Sequence, residues 1–234
     1  MTDPLPASWD ISPQDAIELQ KKLSGQITLH PLESPIRTIA GGDISFNLYS
    51  NTVYAGFIIL KFPELIPIAR CVITTEVTFP YVPGLLSFRE SPALLKAWEL
   101  IPEDKKPDII MLDGQGVAHP RRFGIACHIS LLTGVPALGC GKSLLTGQYT
   151  PPALEKGSTS DLLDKGEKIG TVLRTKNKVN PVFVSPGNRM THEEAVEIAL
   201  KSVTKYRIPE PTRLIHNEVN AFRRGEIEGG YFEL

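Results

Sequence analysis

Between residues 36 and 78 the chain alternates short β-branched and aromatic runs with polar breaks. The runs Ile36–Phe46, Val53–Phe62 and Pro67–Thr78 read as three strands in quick succession. Only Asn47-Leu48-Tyr49-Ser50-Asn51 and a turn beginning at Pro63-Glu64 separate them. Breaks this short suit antiparallel hairpins and leave no room for crossover helices. The period then lengthens. In SFRESPALLKAWELI, Phe88, Leu94, Leu95, Trp98 and Ile101 recur close to 3.6 residues apart, which predicts a helix over Ser87–Ile101 with Ser87 and Glu90 as a capping box.

The apolar run Asp108–Leu112 has the form of a fully buried strand, as does Val135–Cys140. Between them Arg121–Thr133 reads as a helix closed by Gly134. Before the first strand, Ser12 caps a short helix to Lys22 that opens at Pro13. Residues 146–168 are rich in Gly, Ser and Pro and read as a loop, followed by strands Ile169–Leu173 and Pro181–Ser185. A helix from Thr191 to about Tyr206, with Thr191 and Glu194 as a second capping box, and a final helix over about Thr212–Arg224 complete the chain. The fold class is α/β: a mixed sheet of three antiparallel strands followed by β-α-β units, flanked by helices. No repeat or linker divides residues 1–234, so a single domain is expected.

Composition narrows the function classes. Of 234 residues, 41% are hydrophobic and 22% charged, and 25 Lys+Arg against 26 Asp+Glu give a formal net charge of −1. That excludes a polybasic nucleic-acid-coating protein but leaves room for a local basic patch. No run approaches the length of a membrane span. The opening MTDPLPASWD lacks the features of a leader peptide, and Cys71, Cys127 and Cys140 form no CxxC pair, so a cytoplasmic protein is expected.

Three acids stand at informative places. Asp43 lies mid-strand in IAGGDISF, Asp113 ends the buried strand and opens the turn Asp113-Gly114-Gln115-Gly116, and Glu90 lies on the first turn of the helix between them. On residues alone, Asp113 also reads as a turn former and Glu90 as a complement to the helix dipole. Asp43, with small or apolar neighbours on both sides, has the fewest such explanations. If the first and fourth strands are neighbours, the three carboxylates converge into hard oxygen donors suited to Mg²⁺ or Mn²⁺. Arg121 and Arg122, at the start of the third helix, are placed to hold phosphates beside that turn. Two motifs fail. Gly139-Cys140-Gly141-Lys142-Ser143 lacks the first glycine of a P-loop, because position 136 is Pro136, and Thr191-His192-Glu193-Glu194 is not HExxH. His128 reads as a structural helix histidine.

Taken together, GGDISF, FPYVPGLLSFRE, DIIMLDGQGVAHPRRFGIACH, PALGCGKSLLTG and PEPTRLIHNEVN cover most of residues 36–225. In this order the segments resemble the endonuclease V family, deaminated-base repair nucleases with a ribonuclease H-like fold. The resemblance implies Mg²⁺-dependent cleavage (Mn²⁺ substituting) of DNA containing hypoxanthine, at the second phosphodiester on the 3′ side of the lesion, leaving 3′-hydroxyl and 5′-phosphate ends. It implies catalytic roles for Asp43, Glu90, Asp113, Lys142 and His216, with Asp43 and Asp113 as direct metal ligands. Tyr81 matches the wedge that enters the duplex. Gly84, Gly114, Gly116 and His119 match the base pocket and strand channel, and Pro83 and Arg89 belong with them to the implied DNA-binding set. One departure is visible: Gln115 stands where the family commonly has histidine. Two alternatives remain at this stage, a nuclease acting mainly on inosine-containing RNA and a non-catalytic lesion binder. The intact carboxylate set speaks against the second.

Overall fold

The computed structural model describes residues 9–47 and 50–234. Leu48 and Tyr49, within the break read between the first two strands, and the opening residues 1–8 lie outside the described residues. The chain forms α1 (Pro13–Ser24), β1 (Thr38–Phe46), β2 (Thr52–Lys61), β3 (Pro67–Glu76), α2 (Leu86–Glu99), β4 (Ile109–Leu112), α3 (Ile125–Thr133) and β5 (Ala137–Gly141). It continues through β6 (Thr159–Asp164), β7 (Glu167–Leu173), β8 (Val182–Asn188), α4 (His192–Lys201), α5 (Glu210–Arg223) and β9 (Gly230–Glu233). All the strands join one sheet in the order β6-β7-β8-β5-β4-β1-β2-β3-β9.

Strand alternation divides the core into two layers. Ile110 and Leu112 of β4, with Ala40, Val53, Ala55 and Phe57, face Ala93, Leu94 and Trp98 of α2 and Ile129 of α3. Ile109 and Met111, one residue out of step, face the other way, toward Ala195 and Ile198 of α4 and Ile215 and Val219 of α5. Phe57 and Trp98 meet edge to face, with centroids 5.7 Å apart. Pro92 lies inside α2 and removes one helical hydrogen bond. Burial of Phe88, Leu94 and Trp98, each worth roughly 1.5–3 kcal/mol, outweighs that loss.

The two expected hairpins are present, and β4 pairs with β1 in parallel, Gly42 opposite Leu112. Asp43 and Asp113 each follow one of these two partners, at the same end of neighbouring strands. Ser12 caps α1, Thr191 and Glu194 form the expected capping box, and Gly134 closes α3 in the left-handed conformation.

Four expectations are corrected. The helix expected from Arg121 begins at Ile125, because Arg122 adopts a left-handed backbone, φ 56°, that a helix does not admit. Ser87 is not a cap: α2 begins at Leu86, after a turn in which the Leu85 N–H donates to the Val82 carbonyl, and Ser87 is buried in the first helical turn. The expected loop over 146–168 contains β6, whose one buried side chain, Leu162, leaves no apolar alternation to detect. The helix from Thr191 ends at Lys201, well short of Tyr206. In addition β9, absent from the sequence reading, pairs with β3 and covers its edge.

Candidate active site

The carboxylates meet where β1 and β4 end. Asp43 accepts from its neighbour Ile44 N–H at 2.8 Å through Oδ1, and its Oδ2 lies 2.9 Å from His216 Nδ1 on α5. That contact raises the pKa of the imidazole. Asn220, one helical turn on, accepts from the Ser45 hydroxyl at 2.8 Å and donates to the His216 carbonyl at 2.7 Å, which fixes its amide beside the ring. Asp113 is ion-paired with Lys142, at the end of β5. Burial raises the Asp113 pKa, and Lys142 offsets part of that rise.

Glu90 reaches the cluster from α2. Burial, then the charges of Asp43 and Asp113, push its pKa up to about 8, with Arg89 opposing. Arg89 itself donates to the Phe79 carbonyl at 2.5 Å and ties the start of the Tyr81 loop to α2. Arg207 donates to the carbonyls of Lys142 and Pro181, at 2.9 and 2.8 Å, and so braces the strand end that carries the lysine.

Among the described residues, no three His, Cys, Asp or Glu side chains are gathered tightly enough to coordinate an ion. The donor set nevertheless fits one. Three carboxylates close enough for two of them to raise the third are mutually repelling hard oxygens, a repulsion that a divalent cation relieves.

A cavity of about 400 Å³ opens beside the cluster. Asp113 and Lys142 share its lining with Tyr81, Pro83, Gly84, Gly114 and His119. Gly84 is the third residue of a tight turn with φ +79°, closed by Leu85 N–H donating to the Val82 carbonyl at 2.9 Å, and Pro83 precedes it, the pattern of a type II turn. Next to this lining, backbone lies directly on backbone: a Cβ at Gly116 would stand 2.0 Å from the Pro186 carbonyl oxygen, and one at Gly139 2.6 Å from the Gly114 carbonyl oxygen. Gln115 is buried within the lining itself, its amide donating to the Ser143 carbonyl at 3.2 Å.

His119 is buried with its pKa lowered to about 4 by burial and by Arg121, so the ring is neutral. Arg121 and Arg122 differ from expectation in more than their place before α3. Arg121 is engaged with Gly84 and Gln20, and Arg122 pairs with Asp164 at 2.8 Å and Glu167 at 2.7 Å on the β6–β7 hairpin. Tyr81, by contrast, is 68% exposed. Gln20, Arg207 and Asn220 went unnoticed in the sequence. The i,i+4 spacing of His216 and Asn220 was a usable signal, whereas Gln20 and Arg207 carried none. The Lys142 segment leads into no helix, which agrees with the failed P-loop pattern.

A family model for endonuclease V matches residues 21–217. The chain belongs to the endonuclease V family. It is 47% identical over 226 residues to endonuclease V of Myxococcus xanthus, covering 96% of this chain and 95% of that one. Among solved structures, endonuclease V from Streptomyces avermitilis superposes with a TM-score of 0.87 at 37% identity, over 97% of this chain and 100% of the other. Endonuclease V of Ciona intestinalis, in complex with a 24mer DNA containing an inosine followed by a ribo-adenosine, shares the fold at TM-score 0.80 and 22% identity, over 92% and 98% of the two chains. Membership of the endonuclease V family makes this chain a metal-dependent endonuclease with a ribonuclease H-like fold. No helix among the described residues is long and apolar enough to cross a membrane.

Proposed function

We propose that this chain recognises hypoxanthine in DNA and cleaves the second phosphodiester bond on the 3′ side of the lesion, leaving 3′-hydroxyl and 5′-phosphate ends, with Mg²⁺ as the physiological metal and Mn²⁺ as a substitute. The observation that carries this reading is the shared wall: Asp113 and Lys142 of the charged cluster also line the cavity that the Tyr81–Gly84 loop encloses. A base turned out of a duplex and a phosphate in the same strand would thus be engaged side by side. The Ciona intestinalis protein of the same fold, seen with inosine-containing DNA, agrees with it.

In this reading Asp43 and Asp113 hold the metal directly and Glu90 completes the oxygen set. When bound, the cation supplies charge compensation and an activated water. Lys142 stabilises negative charge growing on the phosphate, and His216 holds Asp43 in orientation from the α5 side. Tyr81 fills the gap left in the base stack, at the modest entropy loss of an aromatic on a proline-flanked turn. His119 and Gly84 bound the base, while Gly114 lets the strand approach the backbone closely and Gly116 keeps the adjoining backbone packed on Pro186. Hypoxanthine pairs poorly, so its extrusion costs less than that of a normal base. A cytoplasmic location belongs to the same proposal, in keeping with three cysteines that form no disulfide.

Matched inosine-containing DNA and RNA strands, incubated with protein and Mg²⁺ and mapped at the cut, test the reading. Nicking of the DNA one nucleotide beyond the lesion's own 3′ bond, stopped by EDTA, is the expected result. Preferential cutting of RNA would reassign the substrate, and binding without cutting in Mg²⁺ or Mn²⁺ would make the chain a lesion binder.

A further inference from the structure

Three donors converge on one carbonyl oxygen in the cavity wall. The Gly84 oxygen accepts from Gln20 Nε2 at 3.1 Å, from His119 Nε2 at 3.0 Å and from the Arg121 guanidinium at 2.7 Å. A carbonyl has two lone pairs, so its direction is over-determined. The tautomer of His119 follows: its Nδ1 accepts from the Arg121 N–H at 3.2 Å, which leaves the proton on Nε2, facing Gly84.

Gln20 links this segment of the wall to a second one. Its Nε2 also donates to the Phe123 carbonyl at 2.7 Å, and its Oε1 accepts from the Arg121 Nε. Reversing the amide would set its oxygen against two carbonyl oxygens, so the orientation is fixed. Phe123 directly precedes Gly124 and Ile125, which line the cavity together with Gly84. Gln20 itself sits on α1, which contributes nothing to the lining.

The helix does not need this amide for anchorage. Ala16 and Leu23, one turn to either side on the same stripe, are fully buried and seat α1. A fully buried glutamine in that stripe is tolerated only because all its partners are in place, and an apolar residue would meet the packing requirement alone.

We propose that Gln20 is a positioning residue that sets the spacing between the Tyr81–Leu86 loop and the Phe123–Ile125 turn, and with it the fit of the cavity to an extruded base. The proposal rests on the function argued above. The wild-type protein serves as the control that separates the two: failure of wild type to prefer inosine-containing DNA would defeat the functional reading, and only a variant's behaviour bears on Gln20.

The test uses Gln20→Met, which keeps length and packing, and Gln20→Glu, which keeps the acceptor toward Arg121 but removes both donations. Single-turnover nicking across enzyme concentrations separates half-saturation from maximum rate. For both variants the half-saturation point for an inosine strand is expected to rise about tenfold, while the maximum rate moves less than twofold and binding to an undamaged strand is retained. Wild-type half-saturation in both variants would overturn the proposal. So would parallel losses of damaged and undamaged strand binding in step with thermal stability, or failure of both variants to fold, since each would make Gln20 a purely structural residue.

Discussion

His216 of α5 and Asp43 of β1, 173 residues apart in the chain, are joined by a 2.9 Å contact between imidazole Nδ1 and carboxylate Oδ2. The histidine side chain is half exposed, whereas the aspartate is largely covered. Asp43→Ala is expected to abolish nicking while leaving binding to an inosine strand largely intact. In the metal-free protein the same change should lower the His216 pKa, because Asp43 is the main cause of its rise. An NMR titration of the ring, run beside a nicking assay, checks both. Undiminished cutting would remove Asp43 from the metal site.

Tyr81 presents most of its surface to solvent in the unbound protein. Its truncation therefore removes little folding energy, within about 0.5 kcal/mol. Base stacking is worth about 1–3 kcal/mol, so Tyr81→Ala should weaken binding to an inosine duplex by roughly 5- to 150-fold with an unchanged unfolding midpoint. Equal losses in binding and stability would make it a loop anchor instead.

Glu90 links the charged cluster to pH. Its carboxyl titrates near pH 8 in the folded, metal-free protein against an ordinary value of 4.5. Between those limits the folded state holds a proton that the unfolded chain has released. The stabilising contribution is complete below pH 4.5 and is lost as pH rises toward 8, by up to about 1.4 kcal/mol per pH unit. Glu90→Gln should flatten that slope and be the more stable protein in EDTA at pH 8, though inactive. Denaturant titrations from pH 5 to pH 9 measure it, and identical profiles for the two proteins would refute the assignment.

Arg122 is expected to act within the protein. Its guanidinium bridges Asp164 and Glu167, partly shielded from solvent, and its left-handed backbone places it there. Arg122→Gln should lower stability by about 1 kcal/mol and speed amide exchange in β6 and β7, leaving the salt dependence of DNA binding unchanged. A salt slope reduced by about 0.9 would reveal a phosphate contact instead.

How much of this was legible in the sequence depends on how local each cause is. The apolar runs of β1 and β4 belong to the residues themselves, so the buried strands could be inferred, whereas the convergence of Asp43 and Asp113 was conditional on a strand pairing that only the fold supplies. Glu90 could be placed at a helix start for the same reason, although the cap there was misread because Ser87 is claimed by the core. Other features have distant causes. Arg122 leaves helical geometry to reach a hairpin some 40 residues away, and the polar strand β6 is specified by its pairing with β7 rather than by its own pattern. Gln20 meets Gly84 and Phe123 only after α1 docks, and no spacing along the chain announces that.

The glycine contacts beside the cavity also bear on how this enzyme could change over generations. Where Gly116 lies on Pro186 and Gly139 on Gly114, no side chain intervenes that could shrink, swell or rotate to suit another ligand. Drift is therefore confined to the side chains that line the cavity, among them Tyr81, Gln115, His119, Ile125, Leu144 and Leu145. A lineage acquiring a taste for a different damaged base would have to alter those side chains while inheriting the glycine contacts unchanged.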